Sequence, residues 1–253
     1  MIGIFSSSGL AALSRFRTGR PLLAFDFDGT LAPLVPRREE ARLATTTRWL
    51  LRQAAQRHTV AVISGRSRAD LAPRLAGIQG VTVLGNHGAE AEAGPVDAEL
   101  RGRVAAWART LRSVFARTRG VEVEDKGLSL AVHYRDAHDR GRARERITSA
   151  ARAFPDARVT GGISVVNIVP AELPHKGRAL EKLASDLDRD RVLFVGDDLT
   201  DEDAFEAPCV DVSVRVGREL GSAASYYLDS QAELDRLLAI LVGADLPPYG
   251  GGE

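Results

Sequence analysis

The stretch Leu22-Leu23-Ala24-Phe25-Asp26-Phe27-Asp28-Gly29-Thr30-Leu31 decides the fold. Four apolar residues run straight into two carboxylates spaced two apart, with Gly29 and Thr30 immediately behind them. An apolar run that stops in Asp-x-Asp-Gly-Thr is the pattern of a strand buried on both faces that delivers acids to the carboxyl edge of a parallel sheet. Open α/β sheets bind ligands at that edge. In an extended chain Asp26 and Asp28 point to the same side and can address one site. Two carboxylates that close repel unless a cation holds them, which implies Mg²⁺. Taken alone, the same residues also suit a strand-to-turn junction, since Asp and Gly are ordinary turn formers.

Outward from this point the pattern repeats. Glu39 to Ala55 has helical apolar spacing, Thr59 to Ile63 reads as a buried strand, Ser67 to Leu75 as a helix capped by Ser67, and Val81 to Leu84 as another strand. Strands alternating with helices predict a Rossmann-like, doubly wound parallel sheet. The pattern then changes. Ala98 to Ala116 and Arg142 to Phe154 read as amphipathic helices. Val121 to Val123 with Leu128 to Tyr134, and Arg158 to Thr160 with Ser164 to Val169, read as antiparallel strand pairs. These make a small α+β module. The strand–helix alternation resumes with a helix over Lys176 to Leu187, a strand over Arg191 to Val195, a helix over Thr200 to Phe205, a strand over Val210 to Val214 and a last helix over Ser230 to Val242. The predicted organisation is a core of residues 1–94 and 170–253, interrupted by an α+β cap domain of residues 95–169.

The remaining chemistry sits where these strands end. Ser64-Gly65-Arg66 follows the strand ending at Ile63 and offers a hydroxyl and backbone N–H groups to an anion, or else is a cap and turn. Lys176 opens a helix, an unfavourable place for a cation unless an anion sits there; the alternative is an exposed lysine. It could pair with Asp26 and hold a phosphate oxygen. Gly196-Asp197-Asp198-Leu199-Thr200-Asp201-Glu202-Asp203 follows an apolar strand. Asp197 and Asp198 are expected at the metal, and Asp201 to Asp203 mostly at capping or in support of the groups around the metal. Lysine occurs only at Lys126, Lys176 and Lys182 among 34 basic residues, so arginine carries nearly all the positive charge. A compact ammonium kept at Lys126 and Lys176, each before a glycine, hints that a point charge is needed there.

An Asp-x-Asp, a hydroxyl, a lysine and an Asp pair, in that order, resemble the haloacid-dehalogenase superfamily of phosphatases. The resemblance implies that Asp26 attacks phosphorus, that Asp28 protonates the leaving oxygen and then activates water, and that Ser64 and Lys176 hold phosphate oxygens. It also implies a metal site built from Asp26, Asp28, Asp197 and Asp198. Three further stretches, Gly85-Asn86-His87-Gly88-Ala89-Glu90, Glu124 to Arg135 and Gly196 to Glu202, are similar to the trehalose-6-phosphate phosphatase family. That likeness places Glu124, Lys126 and Arg135 on the sugar. It adds Ser64, Gly65, Arg66, Asn86, His87, His133 and Asn167 to the substrate site and makes association with a trehalose-phosphate synthase an expectation. Read from chemistry alone, Glu124 and Lys126 could instead be a solvated hairpin, and His87 a core histidine. Asn167 is a departure, because the family usually carries Glu there, and Val169 stands where a basic residue is usual. Asn keeps a donor and an acceptor but no charge. The substrate expected is a sugar phosphate, trehalose 6-phosphate first, with another sugar phosphate as the alternative. A non-catalytic partner of a synthase is the rival of a different class, against which the intact acids and lysine speak.

The 253 residues suffice for a real core, and 44% hydrophobic with 27% charged residues is a globular composition. Formal net charge is zero, so nothing draws the chain to nucleic acid or an anionic membrane. No apolar run reaches the ~18 residues of a membrane span. In the first 20 residues the arginines follow the apolar part, opposite to a signal peptide, and the segment reads as a lead-in to the first strand. The tail from Pro247 reads as frayed. One cysteine, Cys209, excludes an internal disulfide, and a cytoplasmic location is expected.

Overall fold

Ahead of the expected first strand, the chain forms strand β1 (Ile2–Gly3) and helix α1 (Ser7–Phe16) rather than a lead-in. The buried residues of α1, Gly9, Ala12, Leu13 and Phe16, recur three and four apart and form one apolar stripe. The serine run that obscures this periodicity has a local use, since Ser6 Oγ accepts the N–H of Gly9. The computed structural model describes residues 1–16, 18–90, 98–162 and 164–245. The tail from Pro247 lies outside them, as does the 94/95 boundary.

The core continues with β2 (Pro21–Phe25), α2 (Thr45–Arg57), β3 (Thr59–Ile63), α3 (Arg68–Leu71) and β4 (Val81–Leu84). Helix α2 begins at Thr45 rather than Glu39. Arg38–Glu40 is a separate 3₁₀ turn, and Ala41 and Leu43 are buried from a packed loop whose apolar spacing imitates a helix face. Helix α3 is a single turn capped by Ser67 and continued by 3₁₀ geometry over Ala72–Leu75, where Pro73 removes a backbone donor.

The α+β module follows as α4 (Ala98–Phe115), β5 (Glu122–Asp125), β6 (Leu130–His133), α5 (Arg140–Arg152), β7 (Ala157–Gly162) and β8 (Val165–Pro170). The chain then returns to the first sheet with α6 (Lys176–Asp186), β9 (Arg191–Gly196), a 3₁₀ turn at Leu199–Asp201, α7 (Glu202–Phe205), β10 (Val210–Val216), β11 (Tyr226–Leu228) and α8 (Leu234–Val242). Strand β11 is short and partly polar, and the sequence pattern gives no sign of it.

The large sheet runs β1-β11-β10-β9-β2-β3-β4, and each neighbouring pair is parallel. Strand β2 lies inside it, every residue buried. Its alternation sorts side chains onto two faces. Leu23 and Phe25 join one core with residues of α1, α2 and α8, while Leu22 and Ala24 join another with residues of α6 and α7. Both faces are covered, as a doubly wound sheet requires. The second sheet, β5-β6-β8-β7, is antiparallel and has its own core of Trp107, Leu111, Ile147, Val166 and Ile168. Trp107 stacks on Phe154 with centroids 5.3 Å apart. No helix among the described residues is long and apolar enough to cross a membrane.

Candidate active site

Four ends of parallel strands converge on one cleft. Asp26 follows β2 and is tied to the neighbouring strand by its N–H, which donates to Val195 O at 2.9 Å. Asp197 follows β9. Its carboxylate lies against Gly29, which has φ +83°, and a Cβ there would sit 2.1 Å from Asp197 Oδ2. Only glycine suits that position, both for backbone angle and for space. Ser64 follows β3, and His87 lies just past β4 in a turn where Asn86, His87 and Gly88 all have positive φ. A non-glycine pair in that region is strained, and hydrogen bonds hold it: Asn86 N–H to Arg66 O at 2.7 Å and His87 N–H to Ser64 O at 2.9 Å.

Lys176, at the first turn of α6, is 2% exposed. Its Nζ donates to Asp26 Oδ1 at 2.6 Å and to Asp201 Oδ1 at 2.5 Å. This is the anion that explains a lysine at a helix start. Asp201 is fully buried, and its Oδ2 also accepts the N–H groups of Asp197 and Asp198. Its expected capping role is therefore real, but its second oxygen belongs to the site. Against a burial that would lower it, Asp201 and Asp26 push the Lys176 ammonium above its ordinary value. Burial pushes Asp26 up to about 8, opposed by Lys176 and helped by Asp201. Burial, with Asp26 and Asp201 nearby, pushes Asp197 up to about 9.

Asp26, Asp197 and Asp201 each offer an oxygen within 4.8 Å of the others. Two buried carboxylates and a half-buried one, with one ammonium among them, leave negative charge uncompensated, and an all-oxygen donor set suits a hard divalent cation. The residues present therefore fit a divalent metal. The expected ligand set is only partly reproduced. Asp26 and Asp197 are in the cluster with Asp201, while the side chains of Asp28 and Asp198 lie outside it. The Asp28 side chain turns to Arg66, which donates from Nε and Nη2 at 2.7 Å to each of its oxygens. Asp198 precedes the 3₁₀ turn at Leu199–Asp201, and its carboxylate lies beside Gly162 of the module.

The α+β module closes the cleft from the other side. Lys126 Nζ donates to Gly65 O at 2.9 Å, Ser129 Oγ to Asn86 Oδ1 at 2.6 Å, and Asn86 Nδ2 to Lys126 O at 3.1 Å. Glu124 pairs with Arg38 of the core and, at 2.9 Å, with His133 Nε2. Arg135 Nη1 donates to Pro36 O at 3.0 Å. Burial, with Arg38 next, brings Lys126 down to about 7. Burial, with Lys126 and Arg38, takes His133 down to about 4, a neutral imidazole. His87 is also held neutral by burial and by Lys176, and its Nε2 is buried without a partner. Asn167, on β8, is buried and also lines the cleft. The structure thus brings Asp26, Asp28, Ser64, Gly65, Arg66, His87, Glu124, Lys126, His133, Arg135, Asn167, Lys176, Asp197 and Asp198 to one cavity of about 650 Å³. Asn86 stands behind it as a tie between core and module. Sequence reading missed Arg38, Asp70 and Ser129. Arg38 and Asp70 lie in arginine- and acid-rich surface segments with no distinguishing spacing, and nothing singles out Ser129 within the stretch from Glu124 to Arg135.

A parallel sheet that gathers acids and a buried lysine at its carboxyl edge, beneath an α+β module, is a fold of haloacid-dehalogenase type. The profile of the family described as trehalose-phosphatase matches residues 24–219, and the chain belongs to that family. It is 35% identical over 245 residues to the trehalose-phosphate phosphatase of Mycolicibacterium paratuberculosis, covering 84% of this chain and 59% of that protein. The chain thus spans just over half the length of that relative. It is also 36% identical over 214 residues to an uncharacterized glycosyl hydrolase of Mycobacterium tuberculosis, covering 77% of this chain and 16% of that one. Among solved structures, the C-terminal domain of the C. albicans trehalose-6-phosphate phosphatase superposes with a TM-score of 0.76 at 22% identity, covering 93% of this chain and 96% of that one. This last likeness is one of fold.

Proposed function

We propose that the chain hydrolyses trehalose 6-phosphate to trehalose and phosphate, with Mg²⁺ as the metal and residues 95–169 as the cap that selects the sugar. One observation carries the reading. The 650 Å³ cavity is lined on the core side by Asp26, Asp28, Ser64, Lys176 and Asp197, and on the module side by Glu124, Lys126, His133, Arg135 and Asn167. A phosphoryl group and a polar, polyhydroxyl leaving group fit the two halves respectively.

In this reading an oxygen of Asp26 attacks phosphorus, and the bond to the sugar oxygen breaks. Asp28 delivers a proton to that oxygen and later takes one from the water that cleaves the aspartyl phosphate. Ser64 and Lys176 hold phosphoryl oxygens, and Lys176 keeps Asp26 aimed. Mg²⁺ held by Asp26, Asp197 and Asp201 would neutralise charge on the phosphoryl group. Glu124, fixed by Arg38 and His133, keeps lone pairs for sugar hydroxyls, and neutral Asn167 can both donate and accept. Association with a trehalose-phosphate synthase and a cytoplasmic location belong to the same proposal, and a chain with a single cysteine is consistent with that location.

Asn167 favours one second reading, the same chemistry on another sugar phosphate. Phosphate release from trehalose 6-phosphate, glucose 6-phosphate, sucrose 6-phosphate and glucosyl-3-phosphoglycerate, with Mg²⁺ and with EDTA, separates the two. Metal-dependent preference for trehalose 6-phosphate is expected, and a preference elsewhere would reassign the substrate. Lys126→Ala should cut kcat/KM for the preferred sugar phosphate at least about tenfold more than for p-nitrophenyl phosphate, because a buried polar contact to the sugar is worth about 1.5–3 kcal/mol. Equal losses on both would remove Lys126 from sugar selection. Wild-type protein should also melt higher in Mg²⁺ than in EDTA, since a cation bound only by the folded acids stabilises them. Coincident melting curves at millimolar Mg²⁺ would refute the metal site.

A further inference from the structure

Arg66 was expected at the substrate's anion, but its geometry says otherwise. The residue is 3% exposed, and four of its five N–H groups are already engaged. Nε and one Nη2 hydrogen go to the two oxygens of Asp28, both at 2.7 Å. Nη1 goes to Asp70 Oδ2 at 2.6 Å, and Nη2 also reaches Arg38 O at 2.6 Å. The guanidinium lies over the Phe27 ring, 5.5 Å from its centroid. Asp70 is itself held by Arg74 at 2.9 Å and by Arg38 at 3.3 Å. The fork is therefore fixed from behind by packing, a carboxylate and a carbonyl, and its remaining edge grips Asp28.

We propose that Arg66 is the positioning residue for Asp28 rather than a ligand of the transferred phosphate. A two-pronged contact fixes a carboxylate in plane and in rotation, which a single point charge does not. It takes one lone pair from each Asp28 oxygen and leaves the others for the sugar oxygen and for water. Asp28 follows Asp26 by two residues in a loop and is the more exposed of the two, with its side chain 36% open to solvent. Without the clamp its carboxylate would sample several rotamers, and misplacement of a proton-transfer group by about 1 Å costs on the order of a hundredfold. The clamp continues outward: Arg38, which holds Asp70, also pairs with Glu124 of the module. The same chain of ion pairs thus spans from the sugar side of the cleft to Asp28.

The inference rests on the proposed chemistry, and a double-mutant cycle tests it. Arg66→Lys keeps the charge and loses the fork. It should lower kcat by more than tenfold on both p-nitrophenyl phosphate and the preferred sugar phosphate, with KM and the inhibition constant of inorganic phosphate within about twofold of wild type. Placed on Asp28→Asn, the same change should cost less than about threefold more, because there is no carboxylate left to position. Losses that multiply, or a KM and phosphate inhibition constant raised more than tenfold, would overturn the inference and return Arg66 to the phosphate. Arg66→Gln, which keeps one donor pair and drops the charge, repeats the cycle should the lysine variant melt much lower than wild type. A wild-type protein inactive on every phosphate ester would overturn the proposed function and this inference together. An active wild type with a multiplicative cycle overturns this inference alone.

Discussion

Asp26→Asn should lower phosphate release from every substrate by about a thousandfold or more, as removal of a nucleophile does where chemistry needs a covalent intermediate. Asp26 is the acid that the inner strand β2 delivers to the sheet edge, 5% exposed, with Oδ1 on Lys176. Asparagine fills the same volume and can still hydrogen-bond, but it brings no negative oxygen to phosphorus. Stability should not suffer. The wild-type carboxylate is buried among Asp197 and Asp201, and burial drives it up to about 8. A neutral amide removes that repulsion, while Lys176 keeps its partner Asp201 at 2.5 Å. The variant is therefore expected to melt in EDTA at or above the wild-type temperature. A folded variant retaining more than about a thousandth of the activity would sink the covalent role and leave Asp26 as a metal or positioning group.

Much of this site was legible because its residues sit where strand ends must put them. Asp26, Ser64 and Asp197 each follow a run of apolar residues, and a run buried on both faces can only be an inner strand of a covered sheet. Lys126 and Lys176 stood out because, apart from Lys182, the rest of the chain uses arginine. Other features were hidden for physical reasons. Helix α1 starts in serines, so its apolar stripe is short and its capping residue looks like loop. Ala41 and Leu43 are buried from a loop, and burial without regular backbone leaves the same spacing as a helix. Asp201 was expected at a cap or in support of the metal's surroundings, because a carboxylate at the N-terminus of a turn suffices to explain it. Nothing in a linear pattern says that its second oxygen meets a lysine twenty-five residues away. The Arg66–Asp28 pair spans two strand ends and appears only when β2 and β3 are laid side by side.

Lys176→Met should be the most destabilising single substitution in the site. Methionine matches the length of the aliphatic stem and fills the space, so the loss isolates the charge. Lys176 is 2% exposed and lies between Asp26, 7% exposed, and Asp201, 0% exposed, by side chain. Deleting the cation leaves two buried carboxylates facing each other and Asp197. Breaking a buried ion pair by removing one partner costs about 3–5 kcal/mol, far more than an exposed pair would. For a chain of this size that is a fall in melting temperature on the order of 10 °C. The sign with pH follows from the same charges. With its ammonium partner gone, Asp26 and Asp197, which burial already raises to about 8 and about 9, lose the charge that opposed that rise, so protonation favours the fold and the deficit should be largest above pH 9 and shrink as pH falls through about 8. A divalent cation offers the other remedy. The gap between melting in Mg²⁺ and in EDTA should be wider for Lys176→Met than for wild type, because the metal is then the sole counter-charge to three acids. A variant that melts within 2 °C of wild type in EDTA above pH 9, or whose response to Mg²⁺ equals the wild-type response, would mean that the carboxylates are not set against one another there, and the electrostatic account of the site would fall.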